Sequence, residues 1–173
     1  MSSNTITGNR AAIIPTREQI KMCIRDSDRP QLAELLAHIE TFSPVEVECA
    51  LELIDLAATG TNRDYQVLVA VRDDRVVGYV CYGPTPMTDG TFDLYWIASD
   101  PVVRGQGVGA ALVSAMEGDI RRRSGRLIRI ETSAMEAYGP TRGFYAAMQY
   151  REESRFRDFY RVGEDLIILA KRI

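Results

Sequence analysis

Histidine is almost missing from this sequence. His38 is the single copy among 173 residues, so a histidine metal centre has too few ligands, and any Ser-His-Asp relay would have to run through this one side chain. It lies in RPQLAELLAHIETF, a stretch of helical spacing, and reads as a partly exposed structural residue. Cysteine is nearly as scarce. Cys23, Cys49 and Cys81 are odd in number, widely separated and without a CxxC pair, which argues against a disulfide framework or a zinc site and fits a reducing compartment. A surplus of positive charge is lacking too, with a net charge of -3 and a pI near 5.3, so no broad basic surface is available for nucleic acid. The dense basic run Arg121-Arg122-Arg123 falls where cations complement the dipole of a helix C-terminus. No apolar run is long enough to span a bilayer and no signal-peptide pattern is evident. The expectation is a cytoplasmic protein with no metal, no membrane partner and no nucleic-acid partner.

What is present is an ordinary globular composition, 46% hydrophobic and 26% charged, at a length that suits one well-buried domain. Residues 1–21 are polar and weakly periodic and read as a leader; residues 22–173 read as the domain. The segment KMCIRDSD, Lys21–Asp28, suggests a first strand running into a helix cap. Its MCIRDS core is also the translation of a common transposon-derived sequencing adapter, so no functional weight rests on it. Leu32, Leu35, Leu36 and Ile39 then follow helical spacing. Ser43-Pro44-Val45-Glu46 reads as a capping box with proline in the first turn of a second helix. YQVLVAV (Tyr65–Val71) and VVGYVCYG (Val76–Gly83) flank a tight turn and predict a hairpin, with TFDLYWIAS (Thr91–Ser99) a third strand. A helix to about Arg123, a strand over Arg126–Ser133, a short helix in GPTRGFYAAMQY and two closing strands complete a mixed α/β order without repeats.

The segment SDPVVRGQGVGAALV, Ser99–Val113, places Gly105, Gly107 and Gly109 at the threshold of a helix. Glycines there let the backbone approach a ligand closely, and a helix N-terminus favours an anion. A P-loop would need Lys-Ser/Thr after the last glycine, whereas Ala110-Ala111 follows. A dinucleotide fingerprint fits Gly105-x-Gly107-x-x-Ala110, and Glu131 mimics the ribose-binding acid. Pro101 and Arg104 intervene between strand and glycines, however, and the 42 residues after Glu131 in a chain of 173 are too few for the remainder of such a domain.

RGQGVG, Arg104–Gly109, resembles the acyl-CoA loop of the GCN5-related N-acetyltransferases (GNAT), Q/R-x-x-G-x-G/A, through Arg104, Gly107 and Gly109. FYAAMQY, Phe144–Tyr150, resembles the family's second landmark, F-Y-x-x-x-G-F/Y, and DFYRVGEDLIILAKRI resembles its aromatic-acidic turn and last strand. The likeness runs from Met22 to Ile173. One departure is Gln149 where the family has glycine, which asks Gln149 to take a left-handed conformation or the turn to differ.

The resemblance implies an α/β fold with a mixed, mostly antiparallel central sheet, flanking helices, and two central strands splayed to admit the pantetheine arm. It implies an acetyl-CoA-dependent N-acetyltransferase that moves acetyl to a primary amine by direct attack in a ternary complex. Main-chain groups of Ile97, Ala98 and Ser99 are expected along the arm, and Arg104, Gly105, Gln106, Gly107, Val108, Gly109 and Ala110 around the pyrophosphate, with Phe144 packed below. Tyr145 takes the family's general-acid position; Glu131 and Asp93 are the candidate bases. Tyr82, Tyr95, Trp96 and Tyr138 are aromatic candidates for the acceptor pocket. A small-molecule amine (amino acid, polyamine or aminoglycoside type) is the expected acceptor, with a protein N-terminus or lysine as the alternative and a non-catalytic acyl-CoA-binding module as the reading from another class. Relatives are often dimers, which leaves a homodimer open.

Overall fold

The computed structural model describes residues 20–21, 26–40, 42–59 and 64–173. Its elements follow the order β1 (Ile20–Lys21), α1 (Arg29–Ala37), α2 (Pro44–Ala58), β2 (Gln66–Arg72), β3 (Arg75–Pro84), β4 (Thr91–Ser99), α3 (Val108–Arg122), β5 (Leu127–Ser133), α4 (Gly139–Ala147), β6 (Arg151–Arg161) and β7 (Glu164–Arg172). The first strand lies at Ile20–Lys21, at the start of the expected stretch and one residue before it, paired with Ala70 and Val69; Met22–Arg25 fall outside the described residues. One seven-stranded sheet results, in the order β1-β2-β3-β4-β5-β7-β6. Only β4 and β5 run parallel, so the sheet is mixed and mostly antiparallel.

Local chemistry explains the element boundaries. The capping box closes as expected: Ser43 Oγ accepts from the Glu46 N–H at 3.3 Å, and Glu46 Oε2 accepts from the Ser43 N–H at 2.7 Å, which satisfies two donors at the start of α2. Asp73 and Asp74, both with positive φ, make the two-residue turn whose twist suits an antiparallel hairpin, and Arg72 pairs with Arg75 across it. At the end of α4, Gln149 does adopt the left-handed conformation, φ 69°. Its N–H donates to the Ala146 carbonyl and the Tyr150 N–H to that of Tyr145, each at 3.0 Å. This is a Schellman closure, achieved without glycine.

A core lies on each face of the sheet. On one face α3 drives Val108, Leu112, Val113, Met116 and Ile120 onto Leu68, Val80, Leu94, Ile128 and Ile130, with Tyr145 of α4 beside them. On the other, Leu32, Leu36, Ala50 and Ile54 of α1 and α2 cover Val67, Val69, Tyr79 and Cys81. Strand alternation assigns each side chain to a face, and β4 breaks it once. Tyr82 faces Leu94 and Cys81 faces Trp96, leaving Tyr95 as the extra residue of a β-bulge. Tyr95 and Trp96 therefore both join the α1/α2 face, while Leu94 and Ile97 join the α3 face.

Candidate functional site

The bulge falls at the point where the centre of the sheet opens. β4 and β5 are paired from Thr91/Leu127 to Leu94/Ile130 and no further. Beyond that point Trp96–Ser99 still pairs with β3 and Glu131–Ser133 still pairs with β7, but the two strands no longer pair with each other. The β4 edge that carries Ile97, Ala98 and Ser99 is thus left with main-chain donors and acceptors facing a wedge.

The glycine segment lies beyond the end of β4. Asp100 caps a 3-10 turn, Pro101–Val103, by accepting from the Val102 N–H at 2.9 Å. Gly105 and Gly107 then take φ 75° and 84°, a region that L side chains enter only at a cost, and Gly107 opens α3. The helix's first hydrogen bond to Gly107 comes from Ala111, so the N–H groups of Val108, Gly109 and Ala110 have no carbonyl within the helix to serve. Gly109 has a different reason to be glycine. A Cβ there would stand 3.3 Å from the Phe144 ring, so its absence lets α4 dock on the first turn of α3. Arg104 is exposed beside the loop.

α4 also delivers Tyr145, which is 3% exposed. Its ring lies 5.2 Å from Phe144 and 5.8 Å from Tyr150, the latter contact being the apolar companion of the Schellman closure. Tyr150 is tied in turn to the Glu117 carboxylate at 3.2 Å, and Lys171 reaches the same carboxylate at 2.8 Å. The Tyr145 hydroxyl makes no hydrogen bond among the described residues, and it is not sealed off. Burial pushes its pKa well above the ordinary phenol value, so the group stays protonated.

The two candidate bases stand in different surroundings. Asp93 belongs to the paired part of β4, 7% exposed, and accepts from Arg129 Nε at 2.6 Å and Thr85 Oγ1 at 2.8 Å. Glu131 lies one residue past the last β4–β5 pair, exposed, with Arg129 Nη1 at 3.6 Å. It opens onto the α1/α2 face with Tyr138 and Tyr160. Both phenols sit above their ordinary range, through partial burial first and then through nearby carboxylates: Glu46 and Glu164 at Tyr138, Glu131 and Glu164 at Tyr160. Glu164 is neutralised by Arg161 at 2.7 Å, and Glu131 is the more loosely held of the two carboxylates beside Tyr160.

The aromatic candidates separate. Tyr82 is a correction: its ring belongs to the α3-face core and its hydroxyl donates to Asp119 at 2.6 Å, so it lines no acceptor pocket. Tyr95 stacks edge-on with Tyr65, and Trp96 with Phe42, both on the α1/α2 face. Arg129, Glu46, Glu164 and Tyr160 were not among the expected site residues. Period-two alternation outward from Glu131 could have found Arg129; nothing local in the sequence marks Glu46, which reads as a cap. Among the described residues no group of three or more His, Cys, Asp or Glu could hold a metal ion, and no helix is long and apolar enough to cross a membrane.

Comparison with known proteins gives consistent results. The family model of the acetyltransferase (GNAT) domain matches residues 63–152. A crystal structure from Desulfovibrio desulfuricans, assigned to the GNAT family of acetyltransferases, is 36% identical, with a TM-score of 0.83 over 88% of this chain and 97% of that one. The ribosomal-protein-S18-alanine N-acetyltransferase of Escherichia coli is 20% identical, with a TM-score of 0.70 over 89% and 92% of the two chains. An aminoglycoside 6'-N-acetyltransferase crystallised with coenzyme A is 19% identical, with a TM-score of 0.71 over 88% and 96%. The last two share the architecture. No curated protein matches the sequence.

Proposed function

We propose that this chain, which belongs to the GNAT family of acetyltransferases, transfers acetyl from acetyl-CoA to a cationic primary amine at the mouth of the β4–β5 wedge. The domain that does so is residues 22–173 together with the β1 pairing at Ile20–Lys21. The observation that carries the reading is the convergence of three features: a free strand edge at Ile97–Ser99, a helix entrance built on left-handed glycines, and a buried tyrosine on the adjoining helix. The fit to acetyl-CoA is chemical. An extended, amide-bearing arm suits the unpaired β4 edge, and a pyrophosphate suits the N–H groups from Val108 to Ala110. Crystallisation of an architectural neighbour with coenzyme A supports the same cosubstrate.

Acetyl-CoA supplies an acetyl group activated as a thioester. The chain's own residues do the rest. Along the Ile97–Ser99 edge the main-chain groups of Ile97 and Ser99 orient the arm, since Ala98 alternates with them and, in step with Asp100, turns its N–H toward β3; one of the two wedge-facing N–H groups polarises the acetyl carbonyl. Tyr145 holds a proton for the leaving sulfur. Glu131 receives the proton that the ammonium must lose before it can attack, directly or through water. Asp93, with its oxygens taken by Arg129 and Thr85, keeps the closed end of the wedge in register. Burial-driven retention of the Tyr145 proton fits an acid and does not fit a base.

Carboxylates Glu46 and Glu131 and the ring faces of Tyr138 and Tyr160 suit an alkylammonium, and a small polycation such as a polyamine or aminoglycoside is the acceptor this supports best. A second reading, a polypeptide amine, has its own observation. Phe159 lies 6.4 Å from Phe156 and 5.1 Å from Tyr160 between ring centres, and both phenylalanines are half exposed and would accompany an apolar chain. The test is a thermal titration with acetyl-CoA, CoA and NADH side by side. Stabilisation by the first two alone, about 2.7 kcal/mol at a hundredfold excess over Kd, supports the reading; stabilisation by NADH alone removes it.

A further inference from the structure

Arg72 ends β2, on the hairpin that flanks the start of the glycine segment. Its guanidinium Nη1 donates to Gln106 Oε1 at 2.7 Å. Its Nη2 is sealed from solvent and has no hydrogen-bond partner. No carboxylate among the described residues comes within ion-pair distance of it. By contrast, the buried carboxylates each have a cation: Asp93 has Arg129, Glu117 has Lys171 and Asp119 has Arg123. Arg72 is half-buried, but a guanidinium N–H sealed from solvent without a partner is costly, and this one lies behind a loop shaped to receive an anion.

Its hydrogen-bond partner is the residue between the two left-handed glycines. The Gln106 N–H donates to the Val103 carbonyl at 3.1 Å, and Nε2 donates to the Val102 carbonyl at 3.2 Å. With Arg72 on Oε1, the Gln106 side chain becomes a strut from the 3-10 turn to the end of β2. It restrains the one segment that the glycines would otherwise leave free to rearrange.

We infer that Arg72 is a positioning residue for cosubstrate binding: it clamps the glycine loop through Gln106, and its charge, matched by no carboxylate among the described residues, is balanced by the pyrophosphate of coenzyme A. The inference rests on the reading of that loop as the acetyl-CoA site. It goes beyond the loop motif, because Arg72 is more than 30 residues away in sequence and its β-strand context carries no phosphate signature.

The test is calorimetric titration of CoA, 3'-dephospho-CoA and pantetheine into the wild type, Arg72→Met and Gln106→Ala, with the unfolding midpoint of each free protein. Arg72→Met is expected to weaken CoA and dephospho-CoA by the same factor, roughly tenfold or more, while pantetheine, which has no phosphates, loses little. The midpoint of free Arg72→Met should equal or exceed that of the wild type, because a guanidinium N–H sealed from solvent without a partner has gone. Gln106→Ala should show the same nucleotide-selective loss, smaller in size. Equal losses for pantetheine and CoA, no loss for either, or a lowered midpoint of the free Arg72→Met protein would reduce Arg72 to a structural role and overturn the inference. Failure of the wild type to bind CoA would instead remove the underlying reading of the loop.

Discussion

On the face of the sheet that carries α3 and α4, the buried carboxylates are settled by the protein itself. Glu117 has Lys171 and Tyr150, Asp119 has Tyr82 and Arg123, and Tyr145 is wedged between two rings. On the α1/α2 face the groups near the wedge are loosely held: Glu131 stands at 3.6 Å from its nearest cation, and Phe156, Phe159 and Tyr160 are half exposed. On the proposed reading, the first face holds one fixed ligand in one pose. The second offers charge and aromatic surface without a preformed cage, as suits a site whose occupant differs between related enzymes. A family likeness therefore reads out the first face and leaves the second to the residues of the individual chain.

The sharpest way to break this contrast is Tyr145→Phe. It should lower kcat by about a hundredfold or more for every amine tried, with little change in acetyl-CoA affinity, as measured by steady-state kinetics and titration. A loss confined to one acceptor would contradict the assignment of Tyr145 to the cosubstrate side. Because burial raises the Tyr145 pKa, the acid form persists as pH rises, and wild-type kcat should show no decline from this group up to about pH 10.

Asp93→Asn tests whether facing the acceptor side is enough to make a carboxylate catalytic. The substitution leaves Arg129 without its best partner, and since that guanidinium is partly exposed, a stability loss of about 2 kcal/mol is expected in urea unfolding. Acceptor preference should not change. Glu131→Gln is its counterpart. It should cost roughly tenfold in kcat/KM, more for dications than for monocations, with stability unaltered; equal losses across neutral and cationic acceptors would remove Glu131 from recognition.

The smallest effect expected is a gain. Gln149→Gly relieves a non-glycine residue at φ 69° and should raise stability by about 1 kcal/mol, read from the shift in unfolding midpoint.

What the sequence could disclose was set by range. The capping box at Ser43–Glu46, the hairpin turn at Asp73-Asp74 and the left-handed demand on Gln149 are governed by residues within a few positions of one another, and each stands as its local chemistry requires. The β4 bulge is different. Nothing in TFDLYWIAS signals that Tyr95 is supernumerary, because the extra residue is defined only by its register against Cys81 and Tyr82. The same holds for the site. Tyr145 and the glycines lie in contiguous motifs, whereas the ion pair that engages Asp93, the Phe144 ring over Gly109 and the Arg72–Gln106 hydrogen bond are all contacts between distant segments. Tyr82 misled for a related reason: strand alternation puts it on one face or the other, and only the packed sheet shows that its face is the α3 core.

The most direct test of the central claim is amine-dependent release of free thiol from acetyl-CoA, measured with a panel that runs from spermidine and an aminoglycoside through alanine-terminated peptides to a neutral or anionic amine. The account predicts turnover that depends on the amine, rises with its positive charge and is largely abolished by Tyr145→Phe. Binding of CoA with no thiol release for any member of the panel, or release that Tyr145→Phe leaves intact, would contradict it.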